Sequence, residues 1–160
     1  TILISDGTTH LLTDGYFSRV SIPQLLFTRL QPDEQRIDQV LEQAGITSLD
    51  ALLVLHSHFD HAMDVAVVAQ KTGAQLLGST STAMVGRGGE LPESRITTIE
   101  THHPYQFGQF TVRFVPASHV PLPAAVEALP ATVALQRTDG LGDTPFPAPR
   151  HPPPPEGTAT

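Results

Sequence analysis

The residues best equipped for chemistry gather in one hexapeptide, His56-Ser57-His58-Phe59-Asp60-His61. At this chain's own frequencies of His and Asp, four such residues fixed in a window of six arise by accident in on the order of one in a thousand such sequences. His56 and His58 stand two apart, so in extended backbone both imidazoles point the same way and can chelate one ion. Asp60 and His61, at the turn into the next element, can face a second position close by. A plain polar loop whose imidazoles cap a helix is the competing reading, but it leaves three histidines in six residues with no packing use. His119, at the end of a distant strand, is the natural third nitrogen for the first ion, and three imidazoles with an open position make a catalytic rather than a structural zinc site. The chain has no cysteine, so disulfides, thiolate metal sites and cysteine nucleophiles are excluded. Any metal must be held by imidazole and carboxylate, which favours zinc and leaves iron or manganese open.

Such side chains need a frame. Ala51 to Leu55 is a continuous apolar run of strand length, the pattern of a strand buried on both faces, and it stops at the histidine cluster. A strand that ends in a loop delivers side chains to the rim of a sheet, where α/β proteins assemble their sites. Upstream, Ile2 to Ser5 and Thr8 to Thr13 read as a hairpin around Asp6-Gly7, followed by an amphipathic helix that starts at Pro32-Asp33-Glu34, buries Ile37, Val40, Leu41 and Ala44, and ends at Gly45. Downstream, Ala62, Val65, Ala66 and Ala69 restore helical spacing and Gly73 closes it. Ala74 to Leu77 reads as a strand, Thr80 to Val85 as a short helix, and Arg95 to Ile99 as a strand. Phe110, Val112 and Phe114 alternate as a half-buried strand that ends before His119. Strands alternating with helices imply an α/β fold with helices packed outside a sheet.

With Thr13-Asp14-Gly15 upstream and Ala117-Ser118-His119 downstream, the His-x-His-x-Asp-His pattern resembles the metallo-β-lactamase-fold metallohydrolase superfamily over roughly Ile2 to His119. The resemblance implies an αββα sandwich binding one or two metal ions, usually zinc. By position, it implies that His56, His58 and His119 hold the first metal, that Asp60 and His61 contribute to the second, and that Asp14 orients a ligand imidazole. The family's bridging Asp and last His have no clear counterpart. Asp143 follows the turn-like Asp139-Gly140-Leu141-Gly142 and reads as a loop residue, and His151 lies among prolines. The sequence therefore reads as the N-terminal part of the sandwich, or as a sandwich with a displaced C-terminal part.

A bound divalent ion lowers the pKa of water from about 15.7 to about 7 and polarises an ester, lactone, amide or phosphodiester oxygen. The first functional reading is therefore a metal-dependent hydrolase using metal-bound hydroxide, with Asp60 ligating and orienting the attacking water. A second is a metal-binding or scaffold domain without turnover, and a third is redox work at a di-iron centre. Among the remaining candidates, Asp64 is left between bonding a ligand and facing water. His102 and His103 read as surface residues, His10 lies in the opening hairpin and matters only if a facing position exists, and Arg87-Gly88-Gly89 reads as a surface turn.

The rest of the composition sets bounds. At 160 residues the chain suits one domain, and 39% hydrophobic against 16% charged residues, with a mean hydropathy of -0.04, argues for a collapsed core. A net charge of -7 argues against nucleic acid, and no apolar run or N-terminal segment reads as a membrane span or secretory signal. A small-molecule substrate and a cytoplasmic location are the expectation, with oligomeric state open. The domain is expected over residues 1–135, with residues 136–160 a Pro-rich, disordered tail, since 11 of 15 prolines follow Val115.

Overall fold

The structure, a computed structural model, describes residues 1–117, 138–139 and 142–143. His119, His151, the expected strand over Ala131 to Leu135 and the Pro-rich segment from Pro145 lie outside the described residues.

Strands β1 (Ile2–Ser5) and β2 (His10–Thr13) form the opening antiparallel hairpin, with Ile2 opposite Thr13 and Ser5 opposite His10. Gly7 supplies the left-handed φ of +89° that this turn requires. Asp6 fastens it by accepting the backbone N–H groups of Thr8 and Thr9 at 2.9 and 2.7 Å. Those bonds, that from Thr9 foremost, hold the Asp6 carboxyl below its ordinary pKa.

The next three strands, β3 (Ala51–Leu53), β4 (Gln75–Gly78) and β5 (Ile96–Thr98), add in parallel, giving one five-stranded sheet in the order β1-β2-β3-β4-β5. Between them run α1 (Ile22–Phe27), α2 (Glu34–Gln43), α3 (Phe59–Ala62), α4 (Val65–Thr72) and α5 (Thr80–Gly88). Helix α2 begins where Asp33 accepts the Arg36 N–H, and it buries Ile37 and Leu41, four residues apart on one face. Helix α4 ends at Gly73, whose φ of +78° makes the left-handed cap. A 3-10 turn (Glu93–Arg95) leads into β5, and the hairpin of β6 (Pro104–Phe107) and β7 (Phe110–Arg113) follows. The short strands β8 (Thr138–Asp139) and β9 (Gly142–Asp143) pair antiparallel.

Alternation along the strands builds two cores. Leu12, Leu52, Val54 and Leu76 pack with Ile37, Leu41, Val65, Val68 and Ala69 of the helices. Leu11, Ala51, Leu53 and Leu77 face the other way, against Tyr105, Phe107, Phe110 and Val112 of β6 and β7. Helices, sheet and second sheet are thus stacked in the order of the first three layers of an αββα sandwich, the fold class expected from the sequence.

Several expectations are corrected in detail. Leu55 leaves the buried run and is 64% exposed, because the ladder to β4 stops after Val54. The helix expected from Ala62 onward is two pieces broken at Met63-Asp64. Helix α5 runs three residues beyond Val85, so Arg87 and Gly88 belong to its last turn and Gly89 is its C-cap rather than a surface turn. Asp143 pairs with Thr138 in β9 and is not a loop residue. Helix α1 and strand β6 are additions to the pattern read from the sequence.

Candidate metal centre

The site stands where parallel strand β3 runs out. Val54 still donates its N–H to Leu77 O at 2.8 Å, and Leu55 donates to Asp14 Oδ1 at 2.9 Å, so the chain is held on both sides as it leaves the sheet. His58 then takes the N-cap position of α3, which places Asp60 and His61 in a single helical turn. His56 Nε2 lies 3.0 Å from His58 Nδ1, and the His56 ring centroid lies 3.8 Å from that of His61. Donor atoms of His56, His58 and Asp60 all fall within 4.8 Å of one another. The Asp60 carboxylate thus stands within reach both of the two imidazoles and of His61 Nε2, 3.9 Å from its Oδ2.

Asp14 reaches this group from the neighbouring strand. It is buried, adopts a left-handed φ of 45° just past β2, and donates its N–H to Leu53 O at 2.9 Å. That backbone turn aims the carboxylate at β3: Oδ1 accepts from Leu55 while Oδ2 lies 3.1 Å from His61 Nδ1. At the second contact the two atoms are close but not aligned as a hydrogen bond. His61 Nε2, on the far side of the ring, lies 3.9 Å from Asp60 Oδ2. His56, His58, Asp60, His61 and Asp14 are therefore assembled at one place, and His119 lies outside the described residues.

The donor set suits a divalent cation of intermediate softness, since it consists of neutral imidazole nitrogens and a carboxylate oxygen. Two nitrogens 3.0 Å apart share one proton or turn their lone pairs toward a common cation. Donors on a tetrahedral zinc with bonds of about 2.0 Å stand about 3.3 Å apart, close to this separation.

The structure also settles residues that spacing left open. Asp64 neither bonds a ligand residue nor faces water. It is fully buried, accepts the backbone N–H groups of Phe17 and Ser18 at 2.7 Å each, and accepts the Ser18 hydroxyl at 2.7 Å. Those bonds pin the segment that follows Asp14, whose Tyr16 ring packs edge-on against Phe59 at 6.3 Å. His10 pairs with Ser5 Oγ at 2.8 Å in the opening hairpin. His103 packs edge-on against Tyr105 with ring centroids 4.9 Å apart.

A helix-covered sheet backed by a second sheet, with a His-x-His-x-Asp-His loop on its rim, defines a protein of the metallo-β-lactamase fold. Residues 9–139 match the family described as the Beta-lactamase superfamily domain, and the chain belongs to that family. It is 34% identical over 87 residues to a UPF0173 metal-dependent hydrolase of Myxococcus xanthus, the match covering 54% of this chain and 30% of that protein. A UPF0173 metal-dependent hydrolase of Carboxydothermus hydrogenoformans is 36% identical over 72 residues, or 44% of this chain and 30% of that protein. The chain thus spans about a third of the length of the curated relatives it matches. Among solved structures it resembles the metallo-β-lactamase SMB-1 bound to 2-mercaptoethanesulfonate, with a TM-score of 0.50 and 20% identity over 69% of this chain and 44% of that one. At that identity the likeness speaks to the fold alone.

Proposed function

We propose that this chain carries the metal site of a metal-dependent hydrolase acting on an ester, lactone, amide or phosphodiester of a small molecule. The observation that carries the reading is the convergence of two imidazoles and a carboxylate within 4.8 Å on a loop at the end of a buried strand. The relatives' name, metal-dependent hydrolase, supports it. In this reading His56, His58 and His119 hold one cation, and Asp60 and His61 contribute to a second. Zinc is the first choice of metal, with iron and manganese compatible with the same ligands.

When bound, a divalent cation supplies a nucleophile from water at neutral pH and an electrophile for the oxygen of the bond to be cleaved. The chain's own residues do the positioning. Asp60, half exposed, orients the attacking water and takes up its proton. Asp14 lies beside Nδ1 of His61 and Asp60 beside its Nε2, so the ring sits between the two carboxylates. The acidic balance of the chain, -7, favours a small-molecule substrate over nucleic acid, and a cytoplasmic setting is part of the same reading.

The test is elemental analysis of the natural full-length protein combined with turnover of generic esters and phosphodiesters. The expected result is bound metal, with turnover lost on chelation and restored by zinc. Equal hydrolysis by a metal-free preparation would overturn the proposal. Metal uptake without turnover of any such substrate would replace it with the scaffold reading.

A further inference from the structure

Between the two imidazoles of His56 and His58 sits a residue to which the reading above gives no task. Ser57 is 2% exposed, and its hydroxyl lies 3.0 Å from Ser79 Oγ and 3.0 Å from Thr82 Oγ1. Ser79 is the N-cap of α5 and accepts the Thr82 N–H at 3.2 Å, while its Oγ lies 3.4 Å from Thr82 Oγ1. Three hydroxyls from the β3 loop, the end of β4 and the first turn of α5 thus form a triangle, two of them on side chains withdrawn from solvent. Each hydroxyl carries one donor and two acceptor positions, so such a triangle can be closed in a ring of mutual bonds. Gly78 makes room for it: a Cβ there would come within 2.6 Å of the Thr82 side chain.

We infer that this triangle is a positioning device for the metal ligands, acting through Ser57 on its two flanking histidines. The inference rests on the metal-site reading above. In extended backbone a residue and its two neighbours point to opposite sides, so an inward Ser57 obliges His56 and His58 to face outward together. A rotation or slip of the loop would strip buried hydroxyls of their partners, which water cannot replace in the interior. The close approach of the two imidazole nitrogens is thereby held ready before any cation arrives. Thr82, fully buried in α5, acts on the site only by way of Ser57 and does not touch the cation.

The experiment measures zinc affinity of the natural full-length protein by competition with a chromophoric chelator, alongside the thermal midpoint of its metal-free form, for the parent, Thr82→Val, Thr82→Ser and Ser57→Ala. Thr82→Val keeps the buried volume and removes the hydroxyl, whereas Thr82→Ser keeps the hydroxyl and loses a methyl. The expected pattern is crossed: Thr82→Val weakens zinc binding about tenfold, the scale of loss when the support behind a metal ligand is removed. Thr82→Ser stays within about twofold of the parent while melting at a lower temperature. Ser57→Ala weakens zinc binding as Thr82→Val does, and the double variant adds little further loss. Unchanged affinity in Thr82→Val, or a loss in Thr82→Ser that merely tracks its thermal midpoint, would overturn the inference while leaving the metal site standing. Failure of the full-length parent to bind zinc at all would overturn both.

Discussion

His56 and His58 sit on the outer side of a loop whose inner side is nailed down, and this division of labour makes their individual contributions separable. Neither ring supports the hydrophobic core, which is built from the strand residues before them and the helix residues after. His58→Ala is therefore expected to abolish tight metal uptake while changing the stability of the metal-free chain by less than about 1 kcal/mol. Metal titration and chemical denaturation of the same preparation check this, and undiminished uptake would remove His58 from the ligand set. The hexapeptide was legible in the sequence because its information is local: residue type and spacing within six positions. The supports beneath it were not. Asp64 bonds a backbone 46 and 47 residues away, and Ser57 bonds a hydroxyl 25 residues away, so no window along the chain contains both partners.

The longer elements announce themselves by period and cap, as α2 does with Asp33 before it and Ile37 and Leu41 on its inner face. In helix α1, Ile22 and Phe27 are 73% and 83% exposed. Its sequence signal was instead Ser21 before Ile22-Pro23-Gln24, an N-cap and an early proline, with Gln24 Oε1 accepting from Ser21 N and Oγ at 2.9 and 2.7 Å. Strand β6 opens on Pro104, a residue that ordinarily argues against a strand but is tolerated at the first position of one. Beyond α5, Arg87 grips Glu93 through two bonds of 2.5 and 2.9 Å, tying the end of the helix to the turn before β5. The guanidinium holds the Glu93 carboxyl below its ordinary pKa of 4.5. A carboxyl whose folded pKa is depressed adds stability that is fully present above its unfolded pKa and is lost as pH falls through the folded one. The thermal midpoint of Glu93→Gln should thus lie slightly below that of the parent at neutral pH and low salt. The difference should shrink as the pH falls below the ordinary Glu value, vanish once the carboxyl is protonated in the folded chain, and shrink at high ionic strength. A gap that persists in acid would show that the pair contributes nothing through charge.

Across the whole molecule, one sheet carries two cores, and β3 at its centre contributes to both. Leu52 points into the helical layer and is fully buried, with Leu12 and Leu76 beside it on the flanking strands. Leu52→Ala should cost about 2 to 5 kcal/mol, the range for emptying a tightly packed aliphatic position, as measured by urea denaturation. A cost under 1 kcal/mol would mean that the layers close over the void. The layered plan was visible in the sequence as the alternation of strands with helices. The pairing of β6 with β7 over Leu11, Leu53 and Leu77 was not, because it depends on which face of a continuous apolar run each residue occupies. The bonds from Leu55 to Asp14 and from Phe17 to Asp64 span 41 and 47 residues, and they close only once β2 lies alongside β3. A chain leaving the ribosome possesses the histidines long before it possesses the cradle, and closing loops of that length is among the slower events of folding.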